Sequence, residues 1–343
     1  MTSPRMSVIL PTYSTFATIR RTINSLRGQS VVGEIELVIV TPTPPESFGL
    51  DASLLRDFHS HQLLRTESGL FLSQLCAAGV FAAKAPIVTL TEDHVFHALD
   101  WAEQLLESHQ QPYAVVAAQA FNANPDTLLS WSDFLMGYGL WSAPTQSGPR
   151  DYLPGHNSSY KRDLLLIYGD QLADKMTAEV IIHWELRSEG HELYLNADAK
   201  MYHMNFSKWS SWMLTTFYAG RSFAALRIQA WPPLKRLLFA AAWPLIPFVR
   251  LRRIWPTLAA SPVFPQIVPV MLLQLFISAF GEFVGYLFGA GDVHRAIAKL
   301  ETLRDNHVRP RERHLKNLNL PEGIERFVQD RKPDPEHHSV DVP

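Results

Sequence analysis

Residues 87–96 read IVTLTEDHVF, and how this stretch is taken decides the fold. Its first four residues are apolar or β-branched, which predicts a short buried strand. The run stops abruptly at Glu92, Asp93 and His94, three polar side chains able to ligate a metal. Open α/β sheets bind ligands in the crevice outside the carboxyl ends of their strands. A polar triplet in that place is therefore a candidate site, provided that the flanking sequence builds such a sheet.

The sequence upstream and downstream has the required alternation. Residues 6–13, MSVILPTY, are an apolar run closed by Pro and predict a first strand. In STFATIRRTINSLRGQS, residues 14–30, Ile19, Ile23 and Leu26 recur at helical spacing, with Ser14 or Thr15 to start the helix and Gly28 to stop it. IELVIV (35–40) predicts a second strand and APIVTL (85–90) a third, with the helical LSQLCAAGVFAAK (72–84) between them. AVVAAQAF (114–121) predicts a fourth. Strands alternating with helices imply a mostly parallel sheet covered on both faces.

Composition removes several classes. The chain has 343 residues and a formal net charge of −2, so no global positive field for nucleic acid exists. One cysteine, Cys76, excludes a disulfide framework and a thiolate metal site, and its apolar setting predicts a packing role. The first residues, MTSPRMSVILPTYS, lack the long apolar core of a secretory signal, which predicts a domain that stays in the compartment of synthesis.

From Trp231 the character changes. WPPLKRLLFAAAWPLIPFVRLRRIW, residues 231–255, mixes aromatic and aliphatic residues with Lys235, Arg236, Arg250, Arg252 and Arg253, as an amphipathic interfacial helix does. In VFPQIVPVMLLQLFISAFGEFVGYLFGAG, residues 263–291, Glu282 is the only formal charge. The length suits either a bilayer span or a segment lying in one leaflet. After Gly291 the chain is polar, and RKPDPEHHSVDVP (331–343) has the composition of a disordered tail. The expected organisation is a domain over 1–228, hydrophobic membrane-associated helices over 229–290, and a polar tail over 291–343.

Five segments in order carry a family resemblance. MSVILPTYSTFATIRRTINSLRGQ (6–29) resembles the opening strand and helix of family 2 glycosyltransferases of GT-A fold, with their Pro-Thr-Tyr. IVTLTEDHVFHALDWAEQLL (87–106) resembles the segment bearing that family's Asp-rich metal motif, followed by a Trp. LPGHNSSYKRDLL (153–165) is similar to its acceptor-side loop, TAEVIIHWELRSEGHELYL (177–195) to the helix that opens with Glu-Asp, and YHMNFSKWSSWMLTTFYAGRSFAALR (202–227) to the downstream His and Gly-Arg pair. The resemblance covers residues 6 to 228.

What the resemblance implies is specific. The fold would be GT-A-like, and the activity inverting transfer of a sugar from a nucleotide-activated donor to a lipid-linked or polysaccharide acceptor. Aligned on Trp101, the three acidic positions fall on Glu92, Asp93 and His94. Glu92 and His94 would hold a divalent ion, Mn or Mg, that stabilises the departing diphosphate, with His203 as a further ligand. His in place of the last Asp suits Mn, Zn or Fe better than Mg, which leaves the metal and the requirement for one open. Asp93 would bind ribose or a nearby water, and the donor would rest on Pro11, Thr12, Tyr13 and Thr41. Aligned on Gly190, Glu179 takes the general-base position, with Glu185 as the fallback. His156 and Asn157 would face the acceptor or the diphosphate.

Two departures matter. The family's Asp-Asp-Gly-Ser after the second strand is replaced by Thr41 and Thr43 in ELVIVTPTPPES (36–47), so the base-reading end of the donor pocket is altered. The Gln-x-x-Arg-Trp motif of processive members is absent from the sequence. A non-catalytic scaffold of a glycan-assembly complex is the alternative, and a membrane transport component is the weakest reading, since only one convincing apolar span is present. A bacterial envelope-polysaccharide enzyme at the cytoplasmic face of the inner membrane fits the first reading.

Overall fold

The structure is a computed structural model that describes residues 3–228 and 231–328. Its centre is a nine-stranded mixed sheet: β1 (Met6–Pro11), β2 (Ile35–Thr41), β3 (Ser60–Arg65), β4 (Ile87–Leu90), β5 (Val95–His97), β6 (Val115–Asn122), β7 (Gly148–Arg150), β8 (Ser158–Lys161) and β9 (Leu193–His203). The order is β3-β2-β1-β4-β8-β6-β9-β5, with β7 also on β9. All of β1 and β2 is buried, as expected for near-continuous apolar strands of a parallel sheet. The helix Phe16–Arg27 buries Phe16, Ile19, Ile23 and Leu26 and ends at Gly28. The helix Leu72–Ala82 lies so close to β1 that a Cβ on Gly79 would stand 2.4 Å from Ile9 Cγ2. Cys76 fills this core, 4% exposed.

The parallel character holds for β3-β2-β1-β4 and for β6 with β9. It fails where β8 inserts antiparallel between β4 and β6, and where β5 and β7 pair antiparallel with β9. The reason is local: β8 reads SSYK and β7 only GPR, too short and too polar to announce a strand. Their pairing comes from long-range register, not from periodicity.

Beyond the sheet, the helix Trp209–Arg227 packs against Ile267–Phe288 through glycines. A Cβ on Gly220 would meet the Ser278 carbonyl oxygen at 2.1 Å, and one on Gly281 the Phe217 carbonyl oxygen at 2.1 Å. These two backbones touch, which only glycine permits. Ile267–Phe288, 22 residues long, is the one helix among the described residues long and apolar enough to cross a membrane. Its charge is not presented to the surroundings, because Glu282 is buried and pairs with Arg250 Nη2 at 2.6 Å. The 231–255 stretch forms two helices, Pro233–Ala241 and Ile246–Ala259, joined by the turn Trp243–Leu245. Leu234, Leu237, Leu238, Leu245, Phe248 and Val249 stand exposed on them.

The polar segment after Gly291 is folded as far as residue 328. It forms the helix Val293–Glu301 and a series of 3-10 turns that return to the sheet. Asp305 pairs with Arg21 at 3.2 Å, Lys208 Nζ donates to the Asn306 carbonyl at 2.6 Å, and Asn319 N donates to the Ala123 carbonyl at 2.6 Å. Such ties are polar and aperiodic, so they leave no hydrophobic pattern to read. The stretch 331–343 lies outside the described residues.

Candidate active site

Five elements meet where β4 ends. Thr91 N still bonds the Ile9 carbonyl of β1, and the chain then turns through Glu92, Asp93 and His94 into β5. His203 is the last residue of β9 and sits opposite Val95. Glu92, His94 and His203 each offer a ligand atom within 4.8 Å of the others. The two imidazole Nε2 atoms are 3.1 Å apart, and Glu92 carboxylate oxygens lie 3.5 Å from His203 Nε2 and 4.0 Å from His94 Nε2. With metal–nitrogen bonds near 2.0–2.1 Å, adjacent ligands of one ion stand roughly 3.0–3.4 Å apart. The nitrogen pair matches that spacing.

Each ligand is held by a neighbour of the right kind. His94 Nδ1 lies 2.8 Å from Asp93 Oδ1, and His203 Nδ1 lies 2.8 Å from Asn205 Oδ1. With Nδ1–H donating, each Nε2 keeps its lone pair toward the cluster. Asn205 is in turn fixed by Asn122 and Asn124. Glu92 Oε2 accepts from Asn157 Nδ2 at 2.7 Å and from Tyr138 Oη at 3.3 Å, Tyr138 being the last residue of the helix Leu128–Tyr138.

The electrostatics follow from burial and these neighbours. Burial first, then the Arg304 guanidinium, holds the His94 imidazole well below its ordinary value, so it is neutral and fit to ligate. Burial opposes the charge on Glu92, but the hydrogen bond with His203 and the nearby His156 imidazolium help to hold the carboxyl below the usual range. Burial pushes Asp93 up to about 7, with Arg304 working against it and Glu92 adding to it.

The loop that carries Gly155, His156 and Asn157 joins this cluster to a second carboxylate. Asn157 adopts φ 66, a left-handed conformation that asparagine tolerates, and reaches Glu92. His156 Nδ1 lies 2.9 Å from Glu179 Oε1, at the start of the helix Val180–Ser188. The Glu179 carboxylate raises His156 to about 10, a shift tempered by the partial exposure of its ring. Gly155 is required by contact: a Cβ there would stand 2.4 Å from Glu179 Cβ. Glu185, the fallback base, is committed to Lys175 at 2.6 Å.

The remaining donor-side residues lie at and after the ends of β1 and β2. Pro11 is the last residue of β1, and Thr12 and Tyr13 follow it; Thr41 closes β2. Thr12 and Thr41 are buried, and their hydroxyls accept from Ser14 N and Thr43 N to close turns. Tyr13 Oη donates to the Leu70 carbonyl, and burial raises it further. No carboxylate stands at the end of β2.

Sequence reading missed Arg304, Tyr138 and Asn205. Arg304 is buried, stacks its guanidinium 3.8 Å over Phe206, pairs with Glu301, and places Nη2 2.9 Å from His94 Nε2. It lies far along the chain in a segment without periodic pattern, and no local signal could have found it.

A mostly parallel mixed sheet flanked by helices, with an acidic and histidine cluster at the carboxyl end of β4 where such sheets bind ligands, is a GT-A-like fold. Residues 7–166 match the family model described as Glycosyl transferase family 2, so this segment is a glycosyltransferase domain of that family. Among curated proteins none matches the chain significantly. Among solved structures, it is similar to the mannosyltransferase PcManGT from Pyrobaculum calidifontis in complex with GDP-Man and Mn2+. The two share 17% identity over 82% of this chain and 88% of that one, with a TM-score of 0.48.

Proposed function

We propose that this glycosyltransferase is an inverting enzyme that moves a sugar from a nucleotide-activated donor to a lipid-linked or polysaccharide acceptor at a membrane. One observation carries the reading: a single loop bonds Glu92 of the metal-competent cluster through Asn157 and Glu179 through His156. A leaving-group site and a carboxylate base thus share one frame.

Glu92, His94 and His203 are the residues that would hold a divalent ion, and their donor set of one carboxylate and two imidazoles suits Mn better than Mg. Such an ion, when bound, supplies positive charge to a departing diphosphate. The chain does the rest. Asn157 and Tyr138 orient Glu92, Asp93 and Asn205 set the imidazole tautomers, and Glu179 takes the proton of the acceptor hydroxyl. His156 holds Glu179 in place through the contact between its Nδ1 and Glu179 Oε1. The donor nucleotide is read around the ends of β1 and β2, where Thr41 replaces the family's carboxylate, and the acceptor approaches the loop of His156 and Asn157.

Membrane attachment is supported by the exposed apolar residues between Leu234 and Val249 beside Lys235, Arg236, Arg250, Arg252 and Arg253. A cytoplasmic, bacterial inner-membrane setting extends that reading.

A second reading, a binding or scaffold protein without turnover, is favoured by one contact. Arg304 Nη2 takes the His94 Nε2 lone pair that an ion would need. Calorimetric titration of the detergent-purified chain with a panel of nucleoside diphosphates, with and without Mn2+, separates the two. Metal-dependent binding of one nucleotide, lost in the double variant Glu92→Ala/His94→Ala, is expected of the transferase. Failure of every nucleoside diphosphate to bind, whatever the metal, rejects it in favour of the scaffold.

A further inference from the structure

A cavity of about 300 Å³ adjoins the cluster on the side away from β1 and β2. Glu92, Tyr138, His203 and Arg304 line its inner end, and Thr216, Gln274 and Ser278, from the two glycine-packed helices, line its far wall. Arg304 is the only cationic side chain among the lining residues described, and it is 4% exposed.

Its hydrogen bonding is incomplete. Nη2 serves both Glu301 and His94, while Nε and Nη1 are buried with no hydrogen-bond partner among the described residues. A guanidinium presents five N–H groups in a fork matched to carboxylate and phosphate oxygens, and burying it half-satisfied is costly. The position is nevertheless firmly held. Leu303, just before it, adopts φ 56, which a leucine rarely does. Arg21, Ser207 and Lys208 tie down Asp305, Arg309 and Asn306 around it.

We propose that Arg304 is a phosphoryl-binding residue, brought by the returning C-terminal segment to the inner end of this cavity, where an anionic phosphoryl group replaces Glu301 as its partner. This rests on the transferase reading for its biological setting but not for its chemistry. The phosphoryl group has two sources, the diphosphate that leaves the donor or the phosphate of a lipid-linked acceptor. Either exchange draws Nη2 off His94 Nε2 and returns that lone pair to the cluster. Arg304 and a divalent ion at Glu92, His94 and His203 would then be served by the same anion and would reinforce each other's binding.

The test is calorimetric titration of the full chain in detergent, without added divalent ion, using pyrophosphate and, separately, farnesyl phosphate with farnesol as control. Wild type, Arg304→Met, Arg304→Lys and Glu301→Gln are compared after thermal melting confirms that each folds. Arg304→Met should weaken the phosphoryl probe by about tenfold to a hundredfold, as expected for charge-assisted hydrogen bonds, with partial recovery in Arg304→Lys. Glu301→Gln should tighten the same probe, because it removes the internal competitor, and a merely structural arginine would not respond so. Preference for pyrophosphate identifies the leaving group as the source, and binding of farnesyl phosphate but not farnesol identifies the acceptor. Equal affinity in wild type and Arg304→Met, binding of neither probe, or equal weakening by Glu301→Gln overturns the assignment. Nucleotide-sugar turnover is scored separately. Turnover with phosphoryl affinity indifferent to Arg304 sinks only this inference, whereas Arg304-dependent phosphoryl binding without turnover on any nucleotide sugar sinks only the transferase reading.

Discussion

The sheet and the helical layer behind it are held together by opposite means. In the sheet, Val8, Ile9, Leu37 and Val38 bury branched side chains against Ile19, Ile23 and Leu75, and stability comes from apolar area removed from water. Between Trp209–Arg227 and Ile267–Phe288 the contact is backbone on backbone at Gly220, Gly281 and Gly285. There the gain is close packing, which works in water or in lipid alike. The difference teaches where each half tolerates change. Side chains in the sheet can shift; the carbonyls facing the glycines cannot. The candidate active site lies on the seam, with Glu92 and His203 from the sheet and Arg304 from the segment that follows the helices.

The largest expected effect tests the seam itself. Glu179→Gln keeps the shape and the contact with His156 but removes the proton acceptor, so turnover should fall by about 10²–10⁴-fold. Nucleotide affinity should change little, because Glu179 reaches the donor side only through His156 and Asn157. Single-turnover kinetics alongside calorimetry checks both halves, and a variant that retains turnover removes Glu179 from the base role.

Next comes the contrast between glycines. Gly281→Leu must drive a side chain into the Phe217 carbonyl, and we expect a loss of about 3 kcal/mol or more in denaturant unfolding. Gly79→Ala meets only Ile9 Cγ2, the end of a side chain able to rotate, so a loss of about 1–2 kcal/mol is expected. Equal costs would mean that the helix pair is looser than its geometry.

Acid separates the halves in another way. Burial holds His183 down to about 4 and His97 down to about 3, while segment 209–288 contains no histidine. Unfolded, these imidazoles titrate near 6.5, so between that value and about 4 the unfolded chain binds more protons than the folded one. Stability from their burial is complete above about 6.5 and is lost as the pH falls toward 4, by on the order of 2 kcal/mol for His183. His183→Gln should flatten that part of the stability profile. Hydrogen exchange at falling pH should open the sheet around Tyr160, which faces His183 at 3.1 Å, before the glycine-packed helices.

The same contrast explains what the sequence could and could not reveal. β1, β2, β4 and β6 and the helices beside them were legible because their side chains repeat at strand or helix period. Glu92, Asp93 and His94 were legible because they interrupt such a run. β8 and Arg304 were not, since one is four polar residues and the other acts across 210 positions of chain to reach His94. Gly220 and Gly281 were visible as residues but not as a contact, because a glycine announces where a backbone comes near and not which backbone. Thr41 was read as a donor-side residue because it stands at the family's carboxylate position, while its burial comes from a turn closed by Thr43 N that no side-chain period announces.

The smallest effect on folding tests the outer surface. Leu238 is 66% exposed on the helix Pro233–Ala241, beside Lys235 and Arg236. An exposed substitution away from caps and partners changes stability by no more than about 0.5 kcal/mol, so Leu238→Asp should melt like the wild type. Its partition onto vesicles of anionic lipid should fall roughly tenfold, because burying a leucine is worth about 1.5–3 kcal/mol and the new carboxylate is repelled by the surface. Flotation of wild type and variant on anionic and neutral vesicles measures this. A loss seen only with anionic vesicles would assign the attraction to the arginines and lysines. A loss on both would assign it to the apolar face, and no loss on either would make that face a contact for protein instead of lipid.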